Sequence, residues 1–345
     1  MGRHVLAGDI GGTKTLLAVY EEDADGSLRL IEERSFPSRD YASFESLLDG
    51  FSPARATGFA AAGFGVAGPV YDGVSRLTNL SWVLDERLLG QWLRGAPVRL
   101  LNDVEAAGWG MLGLAPEEVA WIHAGLDPQP VAGGAPLRGN IAVLAPGTGL
   151  GEAMLSWDGH RYNAVAGEGG HADFAPRTDI EMDLVRYLRA LLGGRVSVER
   201  VLSGPGLVHL YEFLRDSGGG TEAPGLREKM ASGDPAAVIA EAGLRDADPL
   251  CRGALDLFAS ALGAEAANMA LRVLARGGVF LAGGIAPKIL AALQAGSFVR
   301  AYRDKGRFSE FVGSISVRVC LNPRASLLGA ARAALDAAGQ SDLRP

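Results

Sequence analysis

The sequence predicts an α/β protein of two domains, and three observations predict it. The chain has 345 residues, too many for one hydrophobic core of ordinary size and comfortable for two. Short apolar runs bounded by glycine turns alternate with helical patterns along it. The strand–glycine turn–strand design of residues 5–21 returns at residues 141–157, which points to two related half-folds. Hydrophobic residues make up 48% and charged residues 21%, a globular balance with no case for disorder.

The elements follow in order. VLAGDI (5–10), LLAVYE (16–21) and LRLIEERSF (28–36) read as strands, the third after a DADGS turn. SFESLLDGF (43–51) opens on a serine cap with a Glu in its first turn and reads as a helix. Strand-like 58–68, a strand at VSRLT (74–78) and a helix at 84–94 come next, then the buried strand VRLLN (98–102) and a helix over 104–114. From Ala115 to Gly139 proline and glycine dominate, which marks a boundary or surface excursion. We therefore expect a small α/β domain at 1–114 and a large one at 115–324, with a C-terminal helix (325–345) packing back on the first. In the large domain helices are expected at 180–192, 198–215 and 249–276. A strand at 279–285 runs into a helix near Pro287, and VRVCLN is a late strand.

The net charge of −7 and the lack of any basic run argue against a nucleic-acid partner, whose phosphates would need neutralising by Lys and Arg. No uncharged apolar run has the length of a membrane span, and the short apolar stretch near the N-terminus does not resemble a secretion signal. Cys251 and Cys320 are the only cysteines and form no CxxC, so neither a disulfide framework nor a zinc site is indicated. The expected compartment is the cytoplasm.

Glycine-rich turns hold phosphate because backbone N–H groups can approach it with no Cβ in the way. No P-loop string occurs, and the one GxGxxG match, Gly63 to Gly68, runs into Pro69 with no helix behind it, so a dinucleotide turn is rejected. GDIGGTKT (8–15) joins two strands instead. Its tip carries Gly8, Asp9, Ile10, Gly11, Gly12 and Thr13, and Asp9 is placed to hold Mg²⁺ through water. A plain glycine hairpin is the equal alternative on that motif alone. APGTGLG (145–151) repeats the design with Gly147, Thr148 and Gly149, and AGGIAP (282–287) adds a strand-to-helix turn with Gly283 and Gly284. The three in this order make a nucleotide site the stronger reading.

Asn102 and Asp103 end a buried strand, where a sheet presents polar groups to a crevice. Asp103 is the candidate base for a substrate hydroxyl; the plainer alternative is that the pair caps the following helix. Glu168 and His171 in GEGGH are separated by a glycine pair, so both can face one ligand. Glu199 opens a helix, where the helix dipole alone would explain it.

The strings GDIGGTKT, FGVAGPV, TNLSW, LLNDVEAAG, APGTGLGEA, GEGGHADFAP, VSVERVLSGPGLVHLY, FLAGGIAPK and DKGRFSEFV run colinearly from Gly8 past Val312. Together they resemble the bacterial glucokinases of the non-ROK type, within the actin-like ATPase and sugar kinase superfamily. The resemblance implies a two-domain actin/hexokinase-like (ribonuclease H-like) fold with ATP and sugar in the interdomain cleft, ATP and Mg²⁺ as cofactors, and a homodimer. It implies Asp103 as the catalytic base and Asn102, Asp103, Glu168, His171 and Glu199 as glucose contacts, with Asn79 of TNLSW beside them. One string departs: GGTK, where this type often has Asn after Thr, is similar to the ROK (repressor, ORF, kinase) family. The cysteine-rich zinc motif of that family is missing after GEGGH, and the ROK reading falls. The rivals left are a kinase for another hexose or hexosamine, a non-catalytic sugar-sensing regulator on the same fold, and an actin-like filament protein.

Overall fold

The structure is a computed structural model that describes residues 2–51, 58–77, 79–126 and 138–341. It divides into two compact units, one of Met1–Pro116, Ala164–Ala166 and Asn322–Pro345, the other of Glu117–Asn163 and Gly167–Leu321. No helix among the described residues is long and apolar enough to cross a membrane.

The first unit is built on strands β1 (Arg3–Ile10), β2 (Lys14–Glu22), β3 (Leu28–Pro37), β4 (Ala61–Val66) and β8 (Val98–Asn102), ordered β3-β2-β1-β4-β8. The first three form an antiparallel meander, and β4 and β8 add in parallel. Alternation along the strands decides the layers. Leu6, Ile10, Leu17 and Val19 enter a core with Phe44, Phe64 and Trp82, while Val5, Ala7, Ala18 and Tyr20 point the other way onto Leu327 and Ala331. Both faces of this sheet are covered, which is why β1 and β2 read as nearly continuous apolar runs. Between β4 and β8 a small sheet, β5 (Val70–Tyr71), β6 (Val74–Arg76) and β7 (Val83–Asp85), is inserted.

The covering helix is Ala325–Ser341, and it meets the helix Asp103–Met111 backbone to backbone at Gly329 and Gly110. A methyl group at Gly329 would lie 1.8 Å from the Ala106 carbonyl oxygen, and one at Gly110 would lie 1.9 Å from that of Ala325. Backbone that close cannot admit a Cβ without separating the helices. Gly329→Ala is therefore expected to lower stability by about 1–3 kcal/mol, as overpacking does. The check is the midpoint of urea unfolding, and an unchanged midpoint would show that the contact relaxes freely.

The second unit repeats the plan. Strands β10 (Ile141–Pro146), β11 (Leu150–Trp157), β12 (Tyr162–Gly167), β13 (Gly278–Leu281) and β14 (Val317–Cys320) are ordered β12-β11-β10-β13-β14, with β9 (Val119–His123) antiparallel on the far edge. As in the first unit, the central strand pairs antiparallel with the strand after its glycine tip and parallel with the crossover strand. The repeat seen in the sequence is thus a repeat of topology. The helix Pro249–Val273 is buried on nearly every side within this unit, touching the helices Gly204–Asp216, Pro235–Leu244 and Ser297–Arg303. It is a core helix here.

Several elements differ from expectation. The predicted helix 198–215 is two pieces, a 3-10 turn at Val198–Arg200 and a helix from Gly204, because Ser203 caps the second through Gly206 N and Pro205 sits in its first turn. Strand β9 lies inside the stretch read as a boundary, of which residues 127–137 fall outside the described residues. Thr78, the end of the strand expected at 74–78, also falls outside them. The helix near Pro287 begins at Leu290, after turns.

Candidate active site

In the first unit the parallel strands end level with one another, since Ile10 pairs with Val66 and Val66 with Asn102. That edge carries Asp9, the glycine tip and Asp103. At the tip Gly11 N donates to Lys14 O at 3.0 Å. Ser38 braces it from β3: its hydroxyl donates to Gly11 O at 2.7 Å and lies 2.9 Å from the Thr15 hydroxyl, while its N–H donates to Thr13 O. Nothing in the string GDIGGTKT points to Ser38, because the contact depends on how β2 and β3 pair. Gly8 must lack a side chain for a different reason, as a methyl group there would lie 2.7 Å from the Phe64 ring. Asn79 lies against the same tip, its Cβ 2.9 Å from where a Cβ on Gly12 would be.

Asn102 and Asp103 divide their work. The Asn102 side chain accepts from Val104 N at 2.9 Å and donates to Gly68 O at 3.2 Å, and Glu105 returns to Asn102 N at 2.9 Å, which completes a capping box. Asp103 is the first residue of the capped helix, half-buried, with Oδ1 also 3.0 Å from Val104 N. Gly65 lets the helix start this close to the sheet, since a methyl group there would lie 3.1 Å from Ala106 Cβ. Burial, and then the negative charge of Asp103, push the Asp9 carboxyl up to about 6 against the pull of Lys14. Two carboxylates therefore share one strand edge at an electrostatic cost.

In the second unit the ends of β10 and β13 carry the other two turns. Gly283 has φ +75°, and a methyl group on it would lie 2.6 Å from Pro146 O, so the turn after β13 rests against the turn after β10. Gly147 has open space where a side chain would be, and so has Gly284. Thr148 is exposed at the apex. Gly204 N donates to Gly147 O at 2.8 Å, which brings the N-terminus of the helix Gly204–Asp216 onto this turn. The positive end of a helix suits an anion there.

Glu199 belongs to this turn more than its helix-start position implied. Its Oε2 accepts from Leu150 N at 3.0 Å, and a methyl group on Gly149 would lie 2.4 Å from that oxygen. Glu168 and His171 flank a short 3-10 turn, with Oε2 and Nε2 3.9 Å apart and side chains 69% and 61% exposed. Backbone pairing of Ala172–Phe174 with Val196–Val198 holds this turn beside Glu199. A methyl group on Gly170 would lie 2.1 Å from Leu150 O, so both segments hang from Leu150. The predicted residues thus form one group in each unit. In the first are Gly8 to Thr13, Asn79, Asn102 and Asp103. In the second are Gly147 to Gly149, Glu168, His171, Glu199, Gly283 and Gly284.

These features match known proteins over nearly the whole chain. A protein-family model described as Glucokinase matches residues 6–337. The curated glucokinase of Synechocystis sp. is 41% identical over 355 aligned residues, which cover 96% of this chain and 98% of that protein. The crystal structure of glucokinase from an Antarctic psychrotroph superposes with a TM-score of 0.82 at 29% identity, covering 97% of this chain and 100% of that one. A ROK-family glucokinase from Streptomyces griseus, in complex with glucose and AMPPNP, gives a TM-score of 0.61 at 22% identity over 96% of this chain and 99% of its own. That last likeness concerns the fold alone. With the sheet orders above, these neighbours establish the actin/hexokinase-like fold.

Proposed function

The chain belongs to the glucokinase family, and from that premise we propose that it transfers the γ-phosphoryl group of ATP to the 6-hydroxyl of D-glucose, giving glucose 6-phosphate and ADP. The observation that carries the reading is the strand edge of the first unit, where Asp103 heads a helix capped by its neighbour and stands near Asp9. Phosphoryl transfer to an alcohol needs a proton acceptor at the hydroxyl and donors on the phosphates. Asp103 is the acceptor, because it opens the helix at the strand edge while Asn102 serves as the cap. Gly8 to Thr13, Gly147 to Gly149 and the Gly283–Gly284 turn supply backbone N–H groups to the nucleotide. Asn79, Asn102, Glu168, His171 and Glu199 hold the sugar hydroxyls.

An all-oxygen pair of carboxylates, with Asp9 raised by burial first and then by the charge of Asp103, fits a hard divalent cation. Mg²⁺ held by Asp9 through water belongs to this reading, and when bound it offsets phosphate charge. A cytoplasmic homodimer is part of it too, on the family resemblance. Light scattering should then give the mass of two chains.

The deciding measurement is ADP release at saturating ATP with and without glucose, with the product scored by a dehydrogenase specific for the 6-phosphate. Release that depends on glucose is expected. Release equal in both arms, or none in either, would leave a sugar-sensing or filament role. Stronger turnover on mannose or glucosamine would move the substrate to another hexose.

A further inference from the structure

Glu152 lies on β11, two residues past the turn that carries Thr148, and is 2% exposed. Neither of its carboxyl oxygens has a hydrogen-bond partner among the described residues. A buried carboxyl left in this way is costly and calls for an explanation. Its neighbours give one. A methyl group on Gly169 would lie 1.9 Å from Glu152 Oε2, so the carboxyl is pressed against the backbone between Glu168 and His171.

Behind it, on the helix Pro249–Val273, Glu265 is already paired. Arg272 donates to it at 2.8 Å and Asn268 at 2.8 Å, and Lys305 reaches Asn268 at 2.7 Å. The charged groups that act on Glu152 are therefore Glu265 and Arg272 from that helix, while Glu168 and His171 stand on the turn that Gly169 belongs to. On the flanking strand β10 the residue in register is Leu144, which carries no charge. Burial first, and then the charge of Glu265, push the Glu152 carboxyl up to about 7, with Arg272 pulling the other way.

We propose that Glu152 is a positioning residue for the sugar turn: its carboxyl is the floor under Gly169, and its charge state sets how well Glu168 and His171 are presented to glucose. The inference rests on the assignment of that turn to the sugar. As a neutral acid Glu152 fits a dry site against the glycine backbone better than its ionised form does. Ionised, it adds a buried negative charge beneath Glu168, an acceptor that must itself stay charged to grip hydroxyls. The sign follows: the turn works best below about pH 7, and glucose binding weakens as pH rises through that value.

The test is the KM for glucose from pH 6 to 8.5, alongside kcat and the KM for ATP, in the wild type and in Glu152→Gln. Gln keeps the size and cannot ionise. A wild-type glucose KM that rises roughly threefold to tenfold across this range is expected, the scale of one added charge acting at short range on an exposed carboxylate that water screens. In Glu152→Gln that rise should be lost, with the KM for ATP flat in both. Any effect of His171 is common to the two proteins and drops out of the comparison. A purely structural role would instead shift kcat and both KM values at every pH, and would overturn the proposal. So would a flat wild-type profile, which needs no variant to fold. Glu168→Gln separates the two levels of inference. If it raises the glucose KM while Glu152→Gln tracks the wild type, only the positioning role fails. If it leaves glucose binding untouched, the sugar assignment fails with it.

Discussion

Asp103→Asn is expected to cut kcat by roughly 10²–10⁴ while the KM for glucose changes little, the usual worth of a general base. The substitution is clean because the cap does not depend on it. Asn102 accepts from Val104 N, and Glu105 returns to Asn102 N, so the helix keeps its start. The bond from Val104 N to Asp103 Oδ1 can be kept by an amide oxygen. What the variant loses is an atom able to take a proton, together with one negative charge at the first helical position. That charge is worth about 0.3–1 kcal/mol to an exposed helix, too little to unfold the unit. A second readout is independent of turnover. Asp103 is one of the two causes that raise Asp9, so without Mg²⁺ the Asp9 carboxyl should titrate lower in the variant. A kcat near wild type would reduce Asp103 to a neighbour of the cap.

How much of this was legible depends on the range of the interaction that fixes each feature. The three glycine turns were readable because a turn between apolar runs is a local event, and so was the helix Asp179–Leu192. Thr178 and Glu181 form its capping box, and Gly193 ends it at φ 72°. Strand β9 was not readable. Its five residues gain their identity by pairing with β14, almost 200 positions away, and the proline and glycine around them gave the opposite signal. Strand β12, at Tyr162–Gly167, is short and mostly exposed and carries little pattern of its own. The break before Gly204 was visible as Ser203 and Pro205, yet the apolar spacing on both sides hid it.

Site residues follow the same division. The split of roles between Asn102 and Asp103 is local capping chemistry, open to reading from the two letters. Glu152 looked like any Glu after a glycine turn. Its burial is set by which face of β11 meets the helix Pro249–Val273, and its neighbours Glu265 and Arg272 stand more than a hundred residues away. Glu199 was read as opening a helix and stands in a 3-10 turn ahead of one. The dipole of a following helix would have explained it, whereas the bond it makes is to Leu150 N, at the turn of another segment.

That difference between Glu199 and Glu168 gives the second large effect. Glu168 caps nothing with its side chain, stands 69% exposed, and among the described residues has only His171 at 3.9 Å as an ionic neighbour. Its oxygens can each accept a sugar hydroxyl at no cost to the fold. Glu168→Gln should therefore weaken glucose binding by about 1.5–3 kcal/mol, the worth of hydrogen bonds to a charged group, or roughly ten- to a hundredfold in Kd. ATP binding without sugar and the unfolding midpoint should stay where they are. Glu199→Ala should behave otherwise, because it removes the acceptor for Leu150 N beneath the Thr148 turn and so disturbs nucleotide and sugar together. Calorimetric titration of each variant with glucose and with an ATP analogue reads both effects. Equal losses for the two ligands in Glu168→Gln would mean that its turn supports the phosphate side. The division drawn between an open carboxylate at Glu168 and one tied into the Thr148 turn at Glu199 would then be wrong.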